Sequence, residues 1–212
     1  MASLPPPSFV IESENFTLRP MVRDDASPAL ETWTEDEIII EMLNAYRKRW
    51  SVAEQVAYFA SYEGRPTRYL LGIFPKGKSE PIGFFIIKLR QDDAIMLITH
   101  VLGNKEWRGT GASREASIAM FDYFFNTLSY AKAKCNVRPV NKAMQWLLFN
   151  GGWRIEARLH QHLREKTTGA RADVIVFGIL ADEWRAKRDS ARTVPRRSRA
   201  RARARAAAVG RP

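Results

Sequence analysis

Residues 15–21, NFTLRPM, alternate apolar and polar with Phe16 and Leu18 on one side, the pattern of a strand with one buried face. RDDASPALETW follows as a turn and a short helix. The period then changes. In TEDEIIIEMLNA (34–45) Thr34 precedes an apolar run and Glu37 stands three residues on, the spacing of a capping box. SVAEQVAYFASYEG (51–64) repeats the device with Ser51 and Glu54, and Gly64 is placed to end that helix. Two dense apolar runs, YLLGIFP and PIGFFIIKLR, flank the turn KGKSE and predict a hairpin. AIMLITHVLG (94–103) predicts a further strand.

Beyond it, a helix starting near Ala112 carries Ala116, Ile118, Met120, Phe121, Phe124 and Phe125 and is apolar nearly all round, so it belongs deep in the core. KAKCNVRPV reads as a short strand and NKAMQWLLFNGG as a short helix. WRIEARLHQHLRE, the turn KTTGARA and DVIVFGILADEW form a last long hairpin. The predicted order is β-α-α-β-β-β-α-β-α-β-β. This is an α+β plan: a mixed, mostly antiparallel sheet of about seven strands with flanking helices.

Composition adds an uneven charge. Of the 212 residues, 34 are Lys or Arg and 23 are Asp or Glu, a net charge of +11. Residues 186–212 carry +9 of this, with Asp189 as their one acid, so the body is near neutral. That end lacks aromatics and nearly all large aliphatics and cannot bury enough apolar area to offset its ordering entropy. Three parts are therefore expected: a flexible lead over 1–13, one folded domain over 14–185, and a disordered Arg/Ala-rich tail over 186–212. The tail suits RNA or DNA, bound through charge and without sequence preference. One cysteine, Cys135, excludes an internal disulfide and fits a reducing compartment. The first residues have neither a basic start nor an apolar run, and no apolar stretch approaches the length of a membrane span. The expected location is cytoplasmic, with no membrane partner.

The candidate chemistry sits where strand meets buried helix. Arg108-Gly109-Thr110-Gly111-Ala112-Ser113 joins AIMLITHVLG to that helix. Glycines let several backbone N–H groups converge, and a helix start adds unpaired donors and partial positive charge, so the loop is suited to an anion such as a pyrophosphate. An ordinary strand–helix turn would use glycines too. The spacing matches neither GxxxxGK(S/T) nor GxGxxG.

RGTGAS resembles the R-x-x-G-x-G/A signature of the GNAT N-acetyltransferases, with Ser113 in the last position. VNKAMQWLLFNGGW is similar to the family's N-x-x-S-x-x-L-L-x-x-x-G-F stretch: Asn141 stands at the Asn, Leu147 and Leu148 at the Leu pair, Gly152 at the Gly, Trp153 at the Phe, and Met144 in place of Ser. FTLRPMVRDDA and the closing hairpin, with Asp173 and Trp184, look like the RimJ/RimL-type branch. The resemblance spans roughly 14–185. It implies acetyl-CoA as acyl donor, no metal, and an amine acceptor: a protein N-terminus such as that of a ribosomal protein, or a small amine. A homodimer is compatible with it.

The resemblance implies that the main chain of Val101, Leu102 and Gly103 meets the donor's arm and thioester, that Arg108, Gly109, Thr110, Gly111, Ala112 and Ser113 hold its pyrophosphate, and that Asn141 serves both binding and catalysis. His100, on the strand entering the loop, is the candidate base, with Glu156 or Asp173 on the closing hairpin as substitutes. The family's Tyr acid position holds Leu148. His160 and His162 would share a strand face, too few for a metal. Trp107, Trp146 and Trp153 flank the motifs, as core or as groove wall. A second class of function remains: a non-catalytic GNAT-like protein that binds nucleic acid through its tail.

Overall fold

Strand β3 (Arg68–Pro75) is buried from Tyr69 to its end and β4 (Gly83–Arg90) over most of its length, because helices cover both faces of the sheet there. The computed structural model describes residues 1–193. Its eight strands form one sheet in the order β1-β2-β3-β4-β5-β6-β8-β7. The others are β1 (Ile11–Glu12), β2 (Phe16–Pro20), β5 (Ile95–Leu102), β6 (Lys132–Val137), β7 (Arg154–Arg164) and β8 (Arg171–Leu180). The extra strand over the expected seven is the two-residue β1. Every pairing is antiparallel except β5 with β6. A parallel pair needs a crossover, and helix α3 (Ala112–Asp122), prolonged by a π-helical turn (Tyr123–Thr127), supplies it.

The larger core lies under α3, α4 (Lys142–Asn150) and α5 (Ala181–Thr193), with Ala116, Met120, Phe124 and Phe177 fully inaccessible. The second core lies under a 3-10 segment (Pro28–Glu35), α1 (Glu37–Leu43) and α2 (Val52–Ala60), around Trp33, Phe59, Leu70 and Val101. It covers only the half of that face formed by β2 to β5. No helix among the described residues is long and apolar enough to cross a membrane.

Four expectations are corrected. Thr34 does not cap α1: it lies inside the 3-10 segment, and Asp36 takes the role, accepting from the amides of Ile38 (2.9 Å) and Ile39 (3.3 Å). The Ser51–Glu54 box does form at α2, which ends at Ala60 ahead of the turn holding Gly64. The lead is packed. Phe9 stacks on Tyr123 at 5.5 Å and meets Tyr69 edge-on at 5.4 Å, so burying one aromatic and Ile11 offsets the ordering of a segment already stiffened by Pro5, Pro6 and Pro7. Glu115 on α3 fastens that end, accepting from Ser13 Oγ at 2.7 Å and from the Asn15 amide at 2.7 Å.

Trp184 belongs to helix, not to the last strand. Its indole donates to Asp122 at 2.7 Å and packs on Phe121. The expected start of the tail at 186 also falls inside α5. Arg185 donates to the Phe125 carbonyl at 2.9 Å and Arg188 pairs with Asp122 at 3.0 Å, so these bases anchor the helix to α3. The remainder of the tail, 194–212, lies outside the described residues.

Candidate active site

Pairing of β5 with β6 stops at Ile98 and Cys135. Past that point β5 continues through Thr99, His100, Val101 and Leu102 paired with β4 alone. The two strands part, and the main chain of β5 presents N–H and C=O groups on that side with no strand to take them. Such groups must be satisfied by something. The gap is suited to an extended, hydrogen-bonding ligand. Two glycines let neighbours close on this strand: a Cβ on Gly103 would fall into the Trp33 ring, and one on Gly83 onto the Val101 carbonyl. The Val101 side chain itself is buried, so only its main chain is available to a ligand.

The turn after β5 is held from within. Asn104 caps a short 3-10 turn (Lys105–Trp107) by accepting from Glu106. The Thr110 hydroxyl donates to the Trp107 carbonyl at 2.8 Å and accepts from the Ala112 amide at 3.3 Å. Gly109 and Gly111 have φ of 76° and 95°, the left-handed region that glycine enters freely. Among the described residues no protein group accepts from the amides of Gly109, Gly111, Ser113 or Arg114. Unpaired donors at the start of α3 suit this turn to an anion. Ala112 and Ala116 are buried, and their small side chains seat the helix against the sheet.

Arg108 does not present a free cation to that anion. Its guanidinium donates to Asp36 Oδ2 at 2.9 Å, and Lys105 approaches the same oxygen at 3.4 Å. Burial pushes the Asp36 carboxyl up, but the Arg108 hydrogen bond, the Ile39 amide and the nearby charge outweigh it and hold it below the usual carboxylate range. The pair clamps the turn to the start of α1.

A cavity of about 420 Å³ adjoins the turn on the α3 side. Ile98, His100 and Cys135 form its floor, Phe121 and Leu148 its walls, and Arg114, Trp146, Lys187 and Arg188 its rim. Arg114 and Lys187 make no ion pair among the described residues, and Trp146 is 68% exposed. Trp146 is thus groove wall, one of the two roles the sequence offers for it, while the three rim bases escaped the sequence reading. Arg114 had a signal, as a base in the first turn after Gly111. Lys187 and Arg188 were assigned to the tail. Met144 also lines the cavity. Trp153 is both core and cavity lining, and Trp107 packs edge-on against Phe16 at 5.5 Å.

His100 faces this cavity. It stacks on Phe85 with centroids 4.5 Å apart, and its Nε2 is buried without a partner. Burial pushes the imidazole down to about 4, so it is neutral near pH 7. The unfolded chain takes up this proton near 6.5 and the folded chain only near 4. Stability from this group is therefore complete above about pH 6.5 and falls as pH drops toward 4, by up to roughly 3 kcal/mol. Urea unfolding at pH 7.5 and 5.0 measures it. His100→Phe should flatten the dependence, and an equally steep loss in that variant would assign it to other groups.

Asn141 is the N-cap of α4: its Oδ1 accepts from the Met144 amide at 3.0 Å. It is not among the residues lining the cavity. Glu156 lies over Gly178 and pairs with Lys132 and Lys134, away from the cavity. Asp173 accepts from the Gln161 amide at 2.8 Å and from Arg158 at 2.7 Å, bonds that hold its carboxyl below the usual range. It braces the irregular stretch of β7, where Gln161 takes φ of 45° between His160 and His162. Burial pushes the Cys135 thiol up to about 12, which leaves it unreactive.

A sequence model described as an acetyltransferase (GNAT) domain matches residues 15–154. The chain is 28% identical over 180 residues, 81% of its length and 96% of the relative's, to an uncharacterized N-acetyltransferase, p20, of Bacillus licheniformis. In fold it is similar to a GCN5-related N-acetyltransferase from Brucella melitensis (TM-score 0.75, 18% identity, 89% of this chain and 86% of that one). It is also similar to Mycobacterium smegmatis RimJ in complex with CoA-disulfide (TM-score 0.70, 18% identity, 83% and 88%).

Proposed function

This chain belongs to the GNAT acetyltransferase family, and from that premise we propose that it carries the acetyl group of acetyl-CoA to the α-amine of a polypeptide, a ribosomal protein of the RimJ/RimL-type reading being one such acceptor. The carrying observation is the parting of β5 from β6 directly ahead of a glycine turn in which the amides of Gly109, Gly111, Ser113 and Arg114 have no acceptor among the described residues. That a RimJ of similar fold is in complex with CoA-disulfide supports CoA as the ligand.

Bound acetyl-CoA supplies an activated acetyl group open to a neutral amine. The amides of Gly109, Gly111, Ser113 and Arg114 would hold its pyrophosphate, with Thr110 fixing the turn. Arg114 and Lys187, both exposed at the rim, would balance further phosphate charge, a contribution that salt screens. The main chain from His100 to Gly103 would align the arm and, through its N–H groups, polarise the thioester carbonyl. His100, neutral at working pH, would offer the arm a hydrogen-bonding group at its unpartnered Nε2. Asn141 orders the first turn of α4.

Among the described residues no group lining the cavity suits a strong base. An imidazole near 4 is a weak one, and Leu148 puts a hydrocarbon where a Tyr acid would stand. An acceptor that loses its proton unaided is then favoured. With a pKa near 7.7–8.0 an α-amine is about a third neutral at pH 7.5, whereas a lysine near 10.4 is neutral in about one molecule per thousand. Thiol release from acetyl-CoA, followed with matched peptides bearing a free or a blocked N-terminus, tests this. Turnover should need the free α-amine, and equal rates with a blocked N-terminus and an internal lysine would overturn it. The non-catalytic, nucleic-acid-binding alternative draws on Leu148 and on the tail, and would give acetyl-CoA binding without turnover of any amine.

A further inference from the structure

On the face opposite the cavity, the sheet register aligns a row of bases. Arg68 pairs with Lys88, Lys88 with Leu97, and Leu97 with Lys134, so all four side chains project to one side. One step further down, Arg90, Ile95 and Lys132 form a parallel row. The helices of the second core cover Leu70, Phe84 and Val101 higher on the same face and stop short of these rows. Arg68 and Lys88 are exposed and make no ion pair among the described residues, Arg68 lying over the Tyr62 ring at 5.5 Å. Against the five cations stand two carboxylates: Asp93, taken by Arg90, and Glu156, shared by Lys132 and Lys134. The face keeps an excess of positive charge.

Its position ties it to the reaction. Thr99, the first β5 residue past the parting of the strands, is on the same face two residues from Leu97, or about 7 Å along the strand. Thr99 and Asn136 are exposed there. A chain that reaches into the gap at Thr99 and runs back along this face lies beside Lys88 and Lys134. From Arg68 to Lys134 the row crosses three strand spacings, about 14 Å, the length of about four residues of extended chain. That exceeds a small amine and suits a polypeptide.

We propose that the acceptor is a polypeptide whose residues just after the N-terminus carry carboxylates, read by Lys88, Arg68 and Lys134. This rests on the acetyl-transfer reading above, and the two fail separately. Two labelled peptides share length and first residue: one has Asp and Glu at positions two to five, the other Lys. Fluorescence anisotropy without acetyl-CoA measures their binding. The acidic peptide should bind at least about 10-fold more tightly at low salt, with the difference shrinking as salt rises. Lys88→Glu, which breaks no ion pair, should cut the preference to about 2-fold or less, and Lys88→Ala should fall between. Titration with acetyl-CoA should be unaltered in both variants, since Lys88 lies across the sheet from the cavity. Equal binding of the two peptides overturns the proposal, whatever the turnover. So does a preference untouched by Lys88→Glu. If Lys88→Glu instead weakens binding of a short RNA while peptide preference persists, the row is a nucleic-acid surface and the proposal is wrong.

Discussion

Gly111→Trp is expected to raise the dissociation constant for acetyl-CoA at least about 100-fold in a protein that stays folded. Gly111 has φ of 95° and ψ of −4°, and a Cβ built there meets nothing within 4 Å. The fold has room for a side chain there, at the centre of the turn that carries the free amides. An indole there displaces a pyrophosphate from several charge-assisted hydrogen bonds, each worth about 1.5–3 kcal/mol. Two such bonds already account for the expected loss. The left-handed backbone costs a non-glycine residue roughly 1–2 kcal/mol, so some stability goes as well. Gly77→Trp separates the two effects. Gly77 has φ of 76° and equally open surroundings but lies in the β3–β4 turn. It should share the stability cost and keep full affinity. Unchanged affinity in folded Gly111→Trp would remove the pyrophosphate from this turn.

Asp36→Ala is expected to lower stability by about 2–4 kcal/mol, the loss of an N-cap worth about 1 kcal/mol and of a charge-assisted hydrogen bond worth about 1.5–3 kcal/mol, with Arg108, 27% exposed, able to turn to water. The Asp36 side chain is 3% exposed and serves two ends at once: the first amides of α1 and the guanidinium of Arg108. Asp36→Asn keeps an oxygen for the cap and removes the charge. It should recover the part due to capping, about 1 kcal/mol, and leave the rest lost. The acid limb gives a second reading. With the folded carboxyl below its unfolded value near 3.9, the Asp36 contribution is whole above about pH 4 and disappears as pH falls through the folded value. Asn at 36 should remove that part of the acid slope. Urea midpoints of the three proteins decide it. A cost under about 1 kcal/mol for Asp36→Ala would mean the clamp holds little.

The loosened turn should also follow the clamp, because Arg108 opens the glycine stretch that Asp36 holds. Acetyl-CoA affinity in folded Asp36→Asn is expected to drop less than in Gly111→Trp, since the amides remain and only their alignment is relaxed.

Features set by near neighbours were legible in the amino-acid sequence. The Ser51–Glu54 cap, the apolar helix after Gly111, the glycines of the turn before it and the succession of strands and helices along the chain all follow from residues a few positions apart, where backbone sterics and local hydrogen bonds act. The same local rule failed at Thr34, because Asp36 offers an equally good cap and has in addition a distant arginine to satisfy. The lead and α5 were misjudged for a related reason: composition counts apolar residues but not what they find to pack against, and Phe9 finds Tyr123 while Arg188 finds Asp122. Only the tertiary structure turned Arg108 inward, left His100 Nε2 without a partner in a cavity, and brought Lys187 of α5 to the same rim as Arg114 of α3. Only strand register put Arg68, Lys88 and Lys134 in one row. Burial and pairing across many residues depend on which surfaces meet, and that is decided by the packing of the whole sheet and its helices together.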